Sequence, residues 1–151
     1  MSLIRLALAS SLVLGLTACG GGGIGNILGP IGGAAAQCDP GTQVQIASPT
    51  PGQTGVSGNI GQIVIVANGD TNTLYNTSNQ WYVTLTPQYG GSSIQGGNLT
   101  PFDGRNLNHP YTSDYYYASS IGQLPSGTTW TAYLNEQNAN CAPVPLNSFS
   151  T

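Results

Sequence analysis

The chain has 151 residues, of which 39% are hydrophobic and only 5% are charged. This length fits one domain with short appendages. Two basic residues, both arginines, against five acidic residues give a net charge of −3. Clustered cations provide the affinity of proteins for phosphate backbones, so this composition excludes a nucleic-acid partner. Asn, Gln, Ser and Thr supply the polarity instead, which favours an extracytoplasmic β domain over charge-driven disorder.

Residues 1–18 have the organisation of a secretion signal. Arg5 provides the positive start, an apolar run follows from Leu6 to Leu16, and small residues end the segment. The run is too short to span a membrane, which takes about 18 apolar residues. An ordinary signal that is cleaved after Ala18 would already account for this pattern.

The residues at the cleavage position indicate something more specific. Leu16-Thr17-Ala18-Cys19 resembles the lipobox of bacterial lipoproteins. The resemblance implies that the Cys19 thiol receives a diacylglycerol, that cleavage makes Cys19 the first residue, and that a fatty acid such as palmitate then acylates its amine. Several acyl chains would anchor the protein firmly in a membrane, because each buried methylene contributes about 0.8 kcal/mol to the free energy of binding. We therefore expect a membrane-anchored protein of the bacterial cell envelope, at the outer membrane on its periplasmic or surface-exposed face.

Residues 19–37 are rich in glycine, which predicts a flexible tether between the lipid and the domain. Cleavage also removes Arg5, so anionic lipids cannot help to hold the mature chain at the membrane. The folded domain is expected over residues 38–151.

Two cysteines remain once Cys19 is acylated, namely Cys38 and Cys141. Export places them in an oxidising compartment, where two leftover thiols that flank a domain predict a disulfide. Closing a loop of about 100 residues would stabilise the fold by about 4.7 kcal/mol in the chain-entropy model. Two independent free thiols remain the alternative, because the sequence does not show the separation of their Cα atoms.

Short apolar runs and turn residues alternate from residue 38 onward, and no helical stripe persists. The continuous β-branched run Gln62–Ala67 predicts a central strand packed on both faces. One or two short edge strands are expected between Ser92 and Asp114. The other predicted strands are Gln43–Ile46, Trp81–Thr86, Asp114–Ser119, Trp130–Leu134 and Leu146–Phe149.

About seven strands without intervening helices predict an all-β fold, an antiparallel sandwich, since parallel crossovers would need helices. The side chains expected in its core share positions in alternating or continuous apolar runs: Ile63, Ile65, Trp81, Val83, Trp130, Ala132 and Leu134.

Three segments resemble the bacterial Ig-like domains of surface-layer and other cell-envelope proteins. Pro49-Thr50-Pro51-Gly52-Gln53-Thr54-Gly55-Val56 is similar to the P-x-x-G-x-x-G-V turn between the first two strands of that family. Leu124–Trp130 is similar to its L-x-x-G-x-x-Y corner, with Trp130 in the place of the tyrosine. Ser148-Phe149-Ser150-Thr151 resembles its closing S-F-T-T. The resemblance implies an Ig-like sandwich, and residues 68–113 and the cysteine pair lie outside it.

The sequence offers few groups for catalysis, and we expect neither an enzyme nor a cofactor. His109 is the only histidine and lies in a loop sequence without a nucleophile motif. In Asn68-Gly69-Asp70-Thr71-Asn72 only the D-x-N of the last three residues is like a calcium loop, and the later glycine and glutamate are missing, so a plain turn and no metal are expected. The spacing of the acidic residues does not indicate that any two converge: Asp39, Asp70, Asp103, Asp114 and Glu136.

Tyrosines give the one indication of a binding surface. Tyr115, Tyr116 and Tyr117 are consecutive, and alternate strand residues point to opposite faces, so at least one of them should be exposed. Exposed tyrosines can stack on sugar rings or contact a protein, although cross-strand packing on a solvated face would also account for them.

Two functions follow from these observations. The first is a non-catalytic envelope lipoprotein that presents an Ig-like domain for adhesion, display or envelope assembly, with an envelope protein as a partner. The second is a lipoprotein that binds a glycan or small ligand. A concave cluster of Tyr111, Tyr115 and Tyr117 would favour the second, and dispersed rings on a flat sheet would favour the first.

Overall fold

Eight strands form where β-branched and aromatic residues alternate with polar ones. A computed structural model describes residues 35–69 and 74–151, which belong to the compact unit Ala34–Thr151. The expectations for the signal peptide, Cys19 and most of the tether, as well as Asp70, lie outside the described residues. The strands are β1 (Val44–Ser48), β2 (Gln62–Asn68), β3 (Trp81–Pro87), β4 (Ile94–Asn98), β5 (Thr100–Phe102), β6 (Asp114–Ser120), β7 (Thr129–Glu136) and β8 (Val144–Ser150).

The strands make two four-stranded sheets in which every neighbouring pair is antiparallel. Sheet 1 has the order β1-β2-β6-β5 and sheet 2 has the order β4-β3-β7-β8. The predicted all-β antiparallel sandwich is therefore confirmed. Eight strands are present rather than about seven, because the weak segment after Ser92 forms both short edge strands. The chain passes from β4 in one sheet to β5 in the other at Leu99, which is buried.

The main core lies between the two sheets. It contains all seven side chains predicted for it. Tyr117 of β6, Leu85 of β3 and Phe149 of β8 are equally buried there. Buried and partly exposed residues alternate regularly along β3 and β7. In β3 the inward side chains are Trp81, Val83 and Leu85, and those on the outer face are Tyr82, Thr84 and Thr86.

Sheet 1 is buried on its outer face as well. This confirms the prediction that Gln62–Ala67 forms a central strand packed on both faces. Val64 and Val66 of β2 and Tyr116 and Ala118 of β6 form a second cluster there. The segment between β5 and β6, residues 103–113, covers this cluster and is called the covering loop below. Packed against the cluster are Ala47, Phe102, Leu107 and Tyr111.

Close contacts bring the two sheets together along both sides of the sandwich. On one side Ser119 of β6 is buried and donates a hydrogen bond to the Gly97 carbonyl of β4 at 2.6 Å. A side chain at Gly96 would collide with Ser119, so this approach requires glycine. On the other side the segment after β1 runs along β8, where Val56 donates to the Ser150 carbonyl at 3.0 Å.

Residues 74–80 form helical turns that the sequence pattern did not indicate. Helix α1 spans Leu74–Thr77, a 3-10 turn follows over Ser78–Gln80, and Leu74 is fully buried. A buried leucine fixes these turns against the sandwich, so tertiary packing decides their conformation. No helix in the described residues is long and apolar enough to cross a membrane.

A covalent clamp joins the start of the domain to the segment before β8. Cys38 and Cys141 form a disulfide with a Cα–Cα distance of 5.0 Å across a sequence separation of 103 residues. Cys38 donates a backbone hydrogen bond to Ala142 at 2.8 Å, and Ala142 donates one to Ala36 at 2.8 Å. The disulfide expected from the cysteine count is therefore present.

Replacing both cysteines by alanine (Cys38→Ala with Cys141→Ala) should lower the free energy of unfolding by about 4 kcal/mol. The reason is the large chain entropy that the unfolded state regains when a loop of this length is opened. Urea denaturation of the oxidised protein and the double variant measures the difference. Reductant should bring the wild type close to the variant and leave the variant unchanged. Equal midpoints for the two oxidised samples would contradict this account of the clamp.

Candidate functional site

Half of the chain's acidic, basic and histidine side chains lie in one stretch of 12 residues, from Asp103 to Asp114. This stretch contains the covering loop and the first residue of β6. The loop crosses sheet 1 from β5 as far as β1, since Asn108 and Pro110 line a cavity together with Gln45 and Ala47. A chain with very few charges thus concentrates them over one face of one sheet.

Asp114 organises the covering loop. Its Oδ2 lies 2.8 Å from Nδ1 of His109, and its Oδ1 accepts the backbone N–H of Tyr111 at 3.1 Å. The Asp114 side chain is only 6% exposed, whereas the His109 side chain is 53% exposed. Both contacts are made by a carboxylate whose own place is fixed by the start of β6. A single charge therefore holds two positions of the loop.

Tyr116 completes this network from the outer face of β6. Its hydroxyl donates to the Asn108 carbonyl at 2.6 Å and lies 3.1 Å from His109 Nδ1. The rings of His109 and Tyr116 meet edge to face at 5.7 Å. Gly104 lies against the Tyr116 ring, where a side chain would collide. The Asp114 carboxylate can only accept, so the Nδ1–H of His109 donates to it, and the Tyr116 hydroxyl lies beside this hydrogen bond.

Burial raises the pKa of Tyr116, and the negative charge of Asp114 raises it further. The pKa of Tyr111 is raised for the same two reasons in the same order. Both phenols are therefore protonated in the physiological range, and the Tyr116 hydroxyl is available as the donor that the Asn108 carbonyl needs.

An open cavity of about 300 Å³ lies beside this network. Tyr75 and Tyr115 form its aromatic wall, with ring centroids 6.0 Å apart and ring planes at 76°. Their exposed fractions are 64% and 41%. Phe102, Arg105 and His109 also line the cavity. This corner places two exposed tyrosine rings opposite polar groups.

Asp103 and Arg105 form the polar rim of the cavity. The Arg105 guanidinium donates through Nε at 2.9 Å and through Nη2 at 2.6 Å to the two oxygens of Asp103. These hydrogen bonds lower the pKa of Asp103 and raise that of Arg105. The pair is exposed, and its charges compensate each other, so the rim offers donors and acceptors without a net charge.

The three tyrosines named from the sequence do not form one surface. Tyr115 lines the cavity, and its exposure confirms that the tyrosine run leaves a ring outside the core. Tyr111 is half-buried against the outer cluster of sheet 1. Tyr117 is 1% exposed in the core between the sheets, so its ring cannot contact a ligand at the surface. Tyr115 and Tyr117 lie on the same face of β6, but sheet 2 covers only Tyr117. The alternation of side chains along a strand predicts the face on which a residue lies, and it does not predict whether the other sheet covers it.

Two of the described acidic residues, Asp114 and Glu136, lie beside groups that could take part in chemistry. His109 and Asp114 resemble the base and orienting acid of a hydrolase, but no hydroxyl or thiol of the described residues is hydrogen-bonded to His109 Nε2. Glu136 lies beside the disulfide, and the ligand atoms of Cys38, Glu136 and Cys141 are within 4.8 Å of one another. The two sulfurs are bonded to each other, so they are not thiolate ligands for a metal.

The outer face of sheet 2 is rich in hydroxyl groups, and several of them pair with one another. Thr131 pairs with Ser148 at 3.0 Å and Thr129 with Ser150 at 2.8 Å across β7 and β8. Thr86 pairs with Ser93 at 3.1 Å at the other edge. Neighbouring hydroxyls that pair in this way form a solvated face rather than a set of directional contacts for a ligand.

No protein-family model, curated protein or solved structure matches this chain. The covering loop and its cavity are therefore interpreted on their own geometry.

Sequence reasoning missed the pairing of His109 with Asp114 and the position of Tyr75. One signal was present, namely the concentration of charges between Asp103 and Asp114 in an otherwise neutral chain. A separation of five residues does not by itself bring two side chains together in a loop, so only the fold shows the contact.

The stability of the fold at alkaline pH should depend on the ionisation of the Tyr116 phenol. Because folding raises its pKa, the folded state holds this proton more tightly, so its contribution to stability is full below pH about 10 and is lost as the pH rises further. Tyr116→Phe should cost about 1 kcal/mol at pH 7 through the lost hydrogen bond to Asn108. It should also make the alkaline decline shallower.

Urea midpoints measured between neutral and alkaline pH test this expectation. Tyr89→Phe is the matched control, since the Tyr89 side chain is 85% exposed. It should change neither the neutral stability nor the alkaline slope. An unchanged alkaline slope in Tyr116→Phe would contradict the assignment.

Proposed function

We propose that this chain is a non-catalytic lipoprotein of the bacterial cell envelope, anchored through acylated Cys19. In this role its β-sandwich is presented for adhesion, display or envelope assembly. Residues 1–18 serve as the signal peptide and residues 19–37 as the tether.

The observation that carries this proposal is the use of the cysteines. The chain has three, and Cys38 and Cys141 are bonded to each other. Cys19 is therefore the one cysteine outside the disulfide, and it is also the residue at the lipobox position. An exported protein rarely keeps an unpaired cysteine without a chemical use. Acylation provides that use.

The disulfide clamp also suits a tethered domain. The segment that leads from the tether is joined to the chain at Cys141 by a covalent bond, and to Ala142 by two backbone hydrogen bonds. Tension from the membrane would reach this covalent bond before it reached the hydrogen bonds of β1. A domain held only by a β-strand at its start would instead open from that strand.

Strand order supports the Ig-like assignment. Labelled alphabetically in chain order with β4 as C′, sheet 1 reads A-B-E-D and sheet 2 reads C′-C-F-G. The Ig constant-type sandwich pairs an ABED sheet with a CFG sheet, and a C′ strand extends the second sheet in variable types. The motifs fit this assignment: Gly52 and Gly55 both have positive φ, of 76° and 67°, and Val56, Trp130 and Phe149 are buried.

The alternative function, binding of a glycan or small ligand, is favoured by the cavity beside the covering loop. Of the three tyrosines on which it was based, only Tyr115 lines that cavity with an exposed ring. A displayed domain and a ligand-binding domain are compatible, since a lipoprotein can present its site while it is anchored.

Replacement of the lipidated cysteine tests the proposal. In a bacterial host that acylates lipoproteins, the wild-type chain should fractionate with membranes, and mass spectrometry should find an acylated Cys19 at the mature N-terminus. Cys19→Ala should move the protein to the soluble fraction because no acyl chain remains. The Cys38→Ala, Cys141→Ala double variant is the control, and it should stay acylated and membrane-bound. An unmodified mature N-terminus in the wild type would refute the anchor.

A further inference from the structure

We propose that the cavity formed by Tyr75, Tyr115, Phe102, Arg105 and His109 binds a neutral saccharide. This inference deepens the proposed function, because it gives the displayed domain a ligand class and a defined site.

The aromatic corner provides the surface that a sugar ring needs. Tyr75 comes from helix α1 and Tyr115 from β6, and their ring planes are close to perpendicular. One ring can support the C–H face of a pyranose while the other contacts its edge, since polarised C–H groups are attracted to the electron-rich face of an aromatic ring. The cavity volume of about 300 Å³ is at the lower end of the range for small-molecule sites.

The polar groups of the cavity match hydroxyls. Asp103, Arg105 and His109 line the cavity with carboxylate lone pairs, guanidinium N–H groups and an imidazole. A sugar hydroxyl both donates and accepts, so it can bridge a neighbouring donor and acceptor of this kind. An apolar ligand would displace the water around these groups without replacing its hydrogen bonds, at a cost in affinity.

The charges of the cavity favour an uncharged ligand. The guanidinium of Arg105 is already compensated by a bidentate contact with Asp103. Asp114 is buried behind His109 and accepts two hydrogen bonds within the loop. Arg105 is the only arginine or lysine among the described residues. An acidic sugar would therefore find no uncompensated cation in the cavity. A neutral saccharide therefore suits the site better than an anionic one.

The protein extracted from membranes in detergent can be titrated with neutral trisaccharides, namely cellotriose, maltotriose and triacetylchitotriose, and with sialyllactose as the charged comparator. Ligand binding is followed by NMR shifts of the tyrosine ring signals. At least one neutral trisaccharide should bind with a dissociation constant of about 1 mM or tighter. The ring signals of Tyr75 and Tyr115 should shift, and those of Tyr89 should not.

Variants then separate stacking from folding. Tyr115→Ala and Tyr75→Ala should each weaken binding roughly tenfold, as expected for the loss of an aromatic contact. Tyr115→Phe should keep binding because the ring remains. Tyr89→Ala is the matched control, since it removes an exposed tyrosine outside the cavity and should leave the affinity unchanged.

Three results would overturn the inference. They are no shift with any neutral trisaccharide at concentrations of about 10 mM, equal losses in Tyr115→Ala and Tyr89→Ala, or tighter binding of sialyllactose that Arg105→Gln abolishes. None of these results bears on whether Cys19 is acylated. A failure of the saccharide site is thus distinguishable from a failure of the anchor.

Discussion

The burial of sheet 1 on both faces is the constraint on which the position of the covering loop and of the cavity depends. Val64 and Val66 of β2 and Tyr116 and Ala118 of β6 are apolar on the face that points away from sheet 2. Leaving them in water would cost about 25 cal/mol for each Å² of apolar surface, so the sheet needs a cover. The covering loop supplies it, and the buried carboxylate of Asp114 fixes the loop through His109 and the Tyr111 amide. The cavity exists at this place because the loop is held there.

This arrangement separates three tasks within one small domain. The two sheets provide a rigid support through a core that contains hardly any polar groups, with Ser119 as its one buried polar residue among those described. The disulfide joins the start of the described domain to the segment before β8. The covering loop contains Asp103, Arg105 and His109 and forms one side of the cavity. Each task uses a different interaction, so a change in the loop need not disturb the clamp or the core.

The sequence predicts the features of this structure that depend on neighbouring residues, and it does not predict those that depend on contacts between distant segments. The run Gln62–Ala67 and the alternation of Trp81, Val83 and Leu85 are local patterns, and they predict strands and core correctly. The disulfide follows from counting the cysteines that remain when Cys19 is set aside on the lipobox resemblance. The contact of His109 with Asp114, the turns at Leu74 and the burial of Tyr117 depend on packing between distant segments. Periodicity contains no information on such packing, so the sequence does not show that Tyr111 and Tyr117 have no exposed ring in the cavity that Tyr115 lines.

Hydrogen exchange of the covering loop tests the central claim, that Asp114 holds this loop on sheet 1, most directly. With Asp114→Ala, the amides of residues 104–113, and that of Tyr111 above all, should exchange roughly ten to a hundred times faster than in the wild type. This range corresponds to the loss of about 1.5–3 kcal/mol in hydrogen bonds to a charged group. The amides of β3 and β7 should not change. Asp103→Ala removes an exposed ion pair and the hydrogen bond from the Arg105 amide, so it should have little effect on the loop beyond that one amide. Equal exchange of the loop amides in the wild type and in Asp114→Ala would contradict the account.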